Sequence, residues 1–401
     1  MTPGVLAVDP YVWDWGDLVF RWLHVIAAMA WIGTSFYFIA LDNHLRPPRD
    51  PRDAERGIGG ESWEVHGGGF YRIEKFTVAP RTLPEPLHWF KWEAYTTWLA
   101  GFALMIVLYY VHASTYLVDP SVADLEGWEA VLISIAGLAL AWIVYDILCR
   151  LLAGDELALA AAVFGLVAVS AWGASQLFAP RAAFLQVGAM IGTIMVGNVF
   201  FVIIPAHWEL IRAKQAGRAP DPRWNARGKQ RSVHNNYLTL PVVFAMLSNH
   251  FGFVYQHAHA WLVLVALMAI GALVRHWFNL RHVGRTALWI PPVAIAGLAV
   301  VAYLIRPDSG GGAPPAGAPV SFAQANAIVQ QRCVPCHSAN PTQAGFATDP
   351  KGVRFDTRAE IESQASAIEQ QAVVLKTMPL GNATHMTQAE RDRLARWLRS
   401  R

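Results

Sequence analysis

Charged residues are scarce in this chain of 401 residues. Asp, Glu, Lys and Arg together make up 15% of it, whereas soluble globular domains carry about 25%. This scarcity excludes a soluble cytosolic enzyme, and the 54% of hydrophobic residues exclude intrinsic disorder. The 32 basic and 29 acidic residues nearly balance, and no basic stretch lies in a soluble segment, so no nucleic-acid partner is predicted. The composition therefore indicates a protein embedded in a lipid bilayer.

Cysteine is also rare, and the features of a cleavable leader are lacking. Three cysteines are too few for a disulfide framework. The residues before the first apolar run include three aspartates but no Lys or Arg, which is the wrong charge for a secretory signal peptide. We therefore expect the first apolar run to stay in the mature protein.

Long apolar runs, by contrast, are abundant. Eight of them approach the roughly 20 residues that a helix needs to cross a bilayer. They cover residues 18–41, 94–111, 128–152, 157–179, 182–204, 237–255, 260–280 and 286–305. The sequence predicts an all-α protein: a polytopic bundle of about eight transmembrane helices over residues 1–306, a flexible Gly- and Pro-rich linker over 307–320, and a small polar domain over 321–401.

The charges of the loops predict the orientation of the bundle. Nineteen Lys and Arg residues lie in or beside one set of alternate loops, and only Arg181 lies in the other set. Because loops rich in Lys and Arg stay in the cytoplasm, both termini are expected outside it. This predicts a multi-pass protein of the inner membrane whose C-terminal domain lies in the periplasm.

The C-terminal domain contains one specific motif, a C-V-P-C-H run with Cys333, Cys336 and His337. This spacing is the attachment site of a c-type haem, because two thiols one helical turn apart can bond the two vinyl groups while the adjacent imidazole reaches the iron. A redox C-x-x-C pair and half of a zinc site are the alternatives. Zinc needs further Cys or His ligands, and only His385 follows the motif. The motif therefore predicts a covalent haem c with His337 as an iron ligand.

The second axial ligand is expected downstream, at Met378 in a T-M-P-L run. The following proline favours an extended backbone there, and methionine opposite histidine raises the reduction potential, as in electron-transfer cytochromes c. Met386 and His385 are the rival ligands, and filling of the apolar core is the alternative role of Met378. Amphipathic helices predicted at 322–332 and 387–399, the second opening with a capping box, are typical of a class I-like cytochrome c.

Histidines in the apolar runs predict a second haem. Polar residues at membrane depth are costly and usually functional, and two imidazoles facing each other across a bundle can ligate a b-type haem. His24 and His250 lie roughly 9 and 7 Å from the same predicted membrane surface at 1.5 Å per residue, so they are the predicted pair. Other candidates closer to the helix ends are His112, His207 and His276. For each histidine, a hydrogen bond to backbone or interfacial water is the alternative.

The long loop at 42–91 is unusually rich in Trp, Phe and Tyr for a disordered tether. Ordered loops of this length are usually functional. Stacking aromatics, an arginine and carboxylates suit a flat, anionic heterocycle, and the predicted substrate contacts are Glu64, Arg81 and His88. The alternative is a re-entrant segment that caps the bundle and binds nothing.

Four segments together carry a resemblance to a known family. They are TVAPRTLPEPLHWFKWEAYTTW, SVHNNYLTLPVVFAMLSNH, C-V-P-C-H and T-M-P-L-G-N. With the eight apolar runs, they resemble the bacterial membrane-bound urate hydroxylases, or cytochrome c urate oxidases. The resemblance implies oxidation of urate to 5-hydroxyisourate in purine breakdown, with water as the oxygen source and cytochrome c as acceptor. A respiratory chain oxidase or a soluble cytochrome c would take the electrons onward. The resemblance assigns no role to individual residues of the membrane bundle, so the catalytic residues stay unknown.

The implied reaction releases two electrons and two protons, whereas one haem iron takes one electron. A b-type haem on His24 and His250 could store the second electron, and otherwise a urate radical must persist between two transfers. Two other functions use the same redox parts. One is a quinol–cytochrome c oxidoreductase, and the other is a membrane-anchored cytochrome c without its own substrate.

Overall fold

Helices dominate the computed structural model, which describes residues 10–77, 79–80, 82–306 and 318–400. The N-terminal part contains α1 (Pro10–His44), α2 (Pro51–Glu55), α3 (Trp92–Leu104), α4 (Ala113–Tyr116), α5 (Gly127–Leu151), α6 (Glu156–Leu177), α7 (Pro180–Gly197), α8 (Ile204–Gln215), α9 (Pro222–Leu247), α10 (Gly252–Tyr255), α11 (Ala260–His282) and α12 (Ile290–Leu304). The C-terminal part contains α13 (Phe322–Arg332), α14 (Arg358–Ser363), α15 (Ala365–Ile368) and α16 (Gln388–Arg399). The prevalence of helix agrees with the predicted all-α class.

Helices of membrane-spanning length occur throughout the N-terminal part. Within the described residues, five are long and apolar enough to cross a membrane by length and composition: Tyr11–His44, Gly127–Leu151, Glu156–Leu177, Pro180–Gln215 and Ala260–His282. The other three predicted runs also fall on helices, namely α3, α9 and the shorter α12. The sixth run differs from its predicted limits, because α9 begins well before it and ends at a 3₁₀ turn, Ser248–His250.

The first long loop corrects the purely helical prediction. It contains an antiparallel hairpin of β1 (Ile58–His66) and β2 (Gly69–Phe76). The connecting residues Gly67 and Gly68 both have positive φ, at 56° and 82°, as a tight two-residue hairpin turn requires. We overlooked this Gly-Gly signal between two alternating segments when the loop was interpreted by its aromatic content.

A buried ion cluster joins the hairpin to α2, and backbone hydrogen bonds join it to the residues that follow α1. Arg72 of β2 pairs with Glu61 of β1 at 2.7 Å and also with Asp53 of α2. Both carboxylates are buried, and the backbones of Arg46 and Glu61 exchange two hydrogen bonds. Since a buried charge is tolerated only when it is paired, this cluster fixes the hairpin against α2.

Helix α7 lies at the centre of the bundle. Its buried side chains, Phe184, Val187, Ile191 and Ile194 among them, belong to one apolar core with residues of α5, α6 and α11. The helix passes through a π-helical turn, Asn198–Ile203, directly into α8. A second π-helical turn, Met105–Tyr110, extends α3. Such turns within α-helices occur often at functional sites.

The C-terminal part has its own apolar core. Ala325 and Val329 of α13 pack with Ile361 of α14 and with Leu394 and Trp397 of α16. Capping boxes begin α13, α14 and α16. The two helices predicted here from sequence, at 322–332 and 387–399, are therefore confirmed as helices.

We predict that Gly101→Ala weakens the contact between α1 and α3. A Cβ atom at residue 101 would lie 2.7 Å from the His24 ring, and such overpacking typically costs about 1–3 kcal/mol. Thermal unfolding of the detergent-solubilised protein should show the loss. Gly137→Ala in α5 is the matched control, because its Cβ would meet nothing within 4 Å and alanine favours a helix by roughly 1 kcal/mol. An equal effect of the two variants would contradict the packing argument.

Candidate functional site

The haem motif lies on one turn of backbone at the end of α13. The N–H of Cys333 donates to the Val329 carbonyl at 2.8 Å, and the N–H of His337 donates to the Cys333 carbonyl at 2.9 Å. The His337 ring donates from Nδ1 to the Val353 carbonyl at 3.0 Å. Such a bond fixes the tautomer and ring orientation of a metal-ligating histidine. It leaves Nε2 as the free ligand atom.

The surroundings of the two thiols are apolar. Burial raises the pKa of Cys333 to about 12 and that of Cys336 to about 11, so neither is poised as a thiolate. Across the described residues, no group of three or more His, Cys, Asp or Glu side chains could hold a metal ion. The zinc alternative therefore lacks a ligand set there, whereas apolar thiols beside an oriented imidazole fit a covalently attached, largely apolar macrocycle.

The three candidates for the second axial ligand differ in burial. Met386 is 4% exposed inside the apolar core, and His385 is exposed to solvent. Met378 is half-buried at the edge of that core, as are Cys333 and Val334. Its carbonyl accepts from Arg391 at 2.7 Å, which holds the loop in place. Met378 is thus the candidate that is half-buried against the same apolar core as Cys333 and Val334.

The C-terminal domain contacts the bundle through α4. The Thr115 hydroxyl donates to the Ala344 carbonyl at 3.2 Å. Gly345, with φ of +91°, approaches so closely that a Cβ there would lie 3.3 Å from both His112 and Tyr116. The Tyr116 ring also lies 6.1 Å from the ring of Phe346. These contacts place residues 344–346 against the end of the bundle.

The same face of the domain carries the motif and the Met378 loop. Burial raises the pKa of Tyr116 to about 12, an effect that Arg181 opposes and the nearby Cys336 thiol strengthens. Thr377 packs directly on Gly252, and a Cβ at Gly381 would lie 2.7 Å from the Thr115 carbonyl. The side of the domain that bears Cys336 and residues 377–381 therefore faces the bundle.

Inside the bundle, α9 carries buried polar side chains on two faces. On the first face, Arg231 donates to Asp146 at 2.6 Å. His234 Nδ1 and the Tyr145 hydroxyl are 2.7 Å apart, and Asn198 donates to both the Tyr145 hydroxyl and the Asn235 side-chain oxygen at 2.9 Å. We call this set the Arg231 cluster: Tyr145, Asp146, Asn198, Arg231, His234 and Asn235. Its arginine has a carboxylate partner.

On the second face, α9 meets α11 and α1. Arg275 donates from Nε to the Asn236 side-chain oxygen, and Asn236 donates to Asn279 at 3.0 Å. The Arg275 guanidinium lies 3.9 Å from the centre of the Phe36 ring. We call Phe36, Asn236, Arg275 and Asn279 the Arg275 cluster. Among the ion pairs of the described residues, none involves Arg275.

The predicted b-type haem ligands lie in different surroundings. His24 donates from Nδ1 to the Thr97 carbonyl at 2.8 Å and its ring packs on Gly101 of α3. His250 is exposed in the turn after α9. The structure thus places His24 against α3, and the contacts described for the two histidines do not join them.

The other histidines of the bundle have local partners. His276 accepts from or donates to the Tyr237 hydroxyl at 2.6 Å. The His207 ring lies 6.3 Å from that of Trp89, and the His112 ring lies 6.1 Å from that of Trp13.

Of the predicted substrate contacts in the first loop, Glu64 and His88 are described, and their described contacts do not join them. Glu64 accepts from the Tyr37 hydroxyl at 2.8 Å and lines a cavity of about 600 Å³ between α1 and the hairpin. His88 is exposed, with its ring 4.7 Å from that of Phe90. Arg81 lies outside the described residues.

Sequence interpretation missed the two arginine clusters. Arg231 and Arg275 were counted as loop charges that set the orientation, although both are buried, at 3% and 4% exposure. The available signal was the H-N-N run at residues 234–236 followed directly by an apolar helix, since amides and charges at membrane depth are usually functional.

We predict that Gly345→Ala loosens the contact between the C-terminal domain and the bundle. The added Cβ would press on His112 and Tyr116. Gly352→Ala is the matched control, because Gly352 also has positive φ, at 67°, but its Cβ would meet nothing within 4 Å. Both variants carry about 1–2 kcal/mol of backbone strain, so only the contact separates them. Hydrogen exchange of residues 343–346 in the full-length protein should accelerate in Gly345→Ala alone, and equal acceleration in both would contradict the interface.

A comparison with known proteins identifies the N-terminal part. Residues 10–306 match the family model described as urate oxidase N-terminal. No curated protein and no solved structure matches the chain. The match covers most of the chain, including the whole helical bundle with both arginine clusters. The chain therefore belongs to the urate oxidase N-terminal family.

Proposed function

We propose that the protein is a membrane-bound urate hydroxylase that converts urate and water to 5-hydroxyisourate. The two electrons released pass to a c-type haem on its own C-terminal domain and on to a respiratory chain oxidase or a soluble cytochrome c. The observation that carries this proposal is the family match of the bundle, combined with the C-V-P-C-H face of the C-terminal domain turned towards that bundle.

The C-terminal residues suit the attachment of a haem. Cys333 and Cys336 would hold it through thioether bonds, and His337 and Met378 would ligate the iron. When bound, the group supplies reversible one-electron oxidation and reduction. The chain orients the proximal imidazole through the Val353 carbonyl and holds the Met378 loop through Arg391. Tyr116 and Thr377 exclude water from this face by packing between domain and bundle.

The helical bundle is the part of the chain that we propose spans the membrane. Five helices of spanning length, together with α3, α9 and α12, support eight crossings of an inner membrane. The loop charges then place both termini in the periplasm. Under this orientation, the C-terminal domain docks at the periplasmic end, and the hairpin with Glu64 lies at the cytoplasmic end. Electrons must therefore cross the membrane if urate binds from the cytoplasm.

The proposal includes a b-type haem on His24 and His250 as the electron store. His24 keeps Nε2 free because Nδ1 is bonded to Thr97. A pyridine haemochrome spectrum distinguishes b from c haem, and a wild-type spectrum with c haem alone would end this part of the proposal.

Urate should reduce the c haem of the purified protein without oxygen. We expect the α-band of the c haem to grow on anaerobic addition of urate but not of a quinol. The double variant Cys333→Ala, Cys336→Ala is the control, because loss of both thioethers should abolish covalent haem on a haem-stained gel. Reduction by quinol alone would favour the quinol–cytochrome c oxidoreductase, and reduction by neither would favour the tethered carrier without a substrate.

Replacement of the second axial ligand should change the potential but not the attachment. Met378→Ala should lower the midpoint potential of the haem, since a methionine ligand raises it, and should slow urate-dependent reduction. Met386→Leu is the matched control, because it keeps the volume of a methionine in the core at a cost below about 1.5 kcal/mol. A potential that changes in Met386→Leu and not in Met378→Ala would move the ligand to Met386.

A further inference from the structure

The buried arginines of the bundle differ in one respect, their counter-charge. Arg231 is paired with Asp146 at 2.6 Å. Arg275 is equally buried, at 4% exposure, but within the described chain its partners are the Asn236 amide and the Phe36 ring. Its Nη2 atom is buried and has no hydrogen-bond partner there. An uncompensated buried charge is strongly destabilising, so Arg275 requires an anion that the chain does not provide.

The Arg275 cluster lies at the inner end of two facing rows of side chains. Phe36, Ala40 and His44 follow one another at four-residue steps on α1, and Arg275 and His282 lie seven residues apart on α11. Residues at these spacings share one face of a helix. The rows meet at both ends, since Arg275 lies over the Phe36 ring and the His44 and His282 rings are 5.2 Å apart.

The outer end of these rows opens into a cavity. Ala40 and His44 line the space of about 600 Å³ between α1 and the hairpin, which is within the size range of small-molecule sites. Phe36 lies one helical turn, roughly 6 Å, before Ala40 on α1. Arg275 therefore lies about one turn beyond the cavity wall. Arg46 and Arg49 also line the cavity, together with Glu64 and with Glu61, which is paired with Arg72. Charges of both signs therefore lie at its entrance.

The chemistry of the cluster specifies the ligand. A guanidinium binds planar anions with directed hydrogen bonds, and asparagine side chains offer both a donor and an acceptor. We propose that the Arg275 cluster is the anion anchor of the urate site, and that the cavity lined by His44 and Glu64 is its entrance. This inference rests on the proposed function, because it takes the planar anion to be urate.

The sharpest test gives Arg275 the carboxylate that it lacks. Asn236→Asp places an anion at the atom that already accepts from Arg275 Nε. The variant loses the donor to Asn279, but a rotated Asn279 amide can donate to the new carboxylate, so the variant should keep its fold and compete with the ligand. We expect the KM for urate-driven reduction of the haem to rise about 10- to 100-fold, as for loss of a charge-assisted hydrogen bond. Saturating urate should no longer raise the unfolding temperature of the full-length protein, as it should in wild type.

Two further variants separate charge from folding. Arg275→Gln should lose urate binding, whereas Arg275→Lys should keep part of it. Arg281→Gln is the matched control, because Arg281 is exposed on the same helix and stacks on Trp277; its KM should equal that of wild type. A dithionite-reduced c-haem spectrum identical in all variants checks that the C-terminal domain is intact.

The outcomes distinguish this site from the function itself. Suppose that urate reduces the haem and stabilises the wild type, and that Asn236→Asp and Arg275→Gln behave like the wild type. The proposed anchor is then wrong, whereas urate oxidation is still supported. If urate neither reduces nor stabilises the wild type, both fail. If sodium chloride or phosphatidylglycerol micelles raise the unfolding temperature through Arg275 as much as urate does, the residue serves a simple ion or a lipid headgroup, and the anchor is overturned.

Discussion

Helix α9 brings amides and a charge into an apolar bundle, and their hydrogen bonds hold its neighbours in register. Without water, each buried polar group needs a protein partner. Asn235 therefore binds Asn198 at the π-helical turn between α7 and α8, and Asn236 binds Arg275 of α11. Because adjacent residues on one helix project to different sides, these two amides tie α9 to two different helices. The apolar side chains around α7 pack between the helices that these hydrogen bonds connect.

Elements with a strong local sequence pattern were predicted well, and elements that depend on tertiary contacts were not. Apolar runs of bilayer length leave little choice of structure, so α5, α6 and α11 lie close to their predicted limits, whereas α1 begins well before its own. The Gly-Gly turn was the local signal of the hairpin, whereas the buried ion cluster that links both strands to α2 is a tertiary contact that no local pattern reveals. The break after α9 likewise depends on packing beneath the C-terminal domain.

The candidate sites were predictable to different degrees. Covalent chemistry fixes the spacing of Cys333, Cys336 and His337, so the haem site could be proposed from five consecutive residues. The arginine clusters assemble from helices far apart in sequence, and which arginine keeps a carboxylate depends on where Asp146 falls on α5. In the sequence, an arginine in an exposed loop cannot be distinguished from a buried arginine. Only the packing of α9 and α11 shows that Arg231 and Arg275 are buried.

The contact between Gly345 and the end of the bundle has a kinetic meaning for the proposed reaction. A tethered partner has an effective concentration of about millimolar or more, whatever the supply of diffusible carriers. The first transfer from the bundle is then unimolecular, with a rate independent of acceptor concentration. Only the onward transfer, from the domain to its acceptor, responds to carrier abundance. Fusion thus confines the dependence on respiratory demand to a single late step.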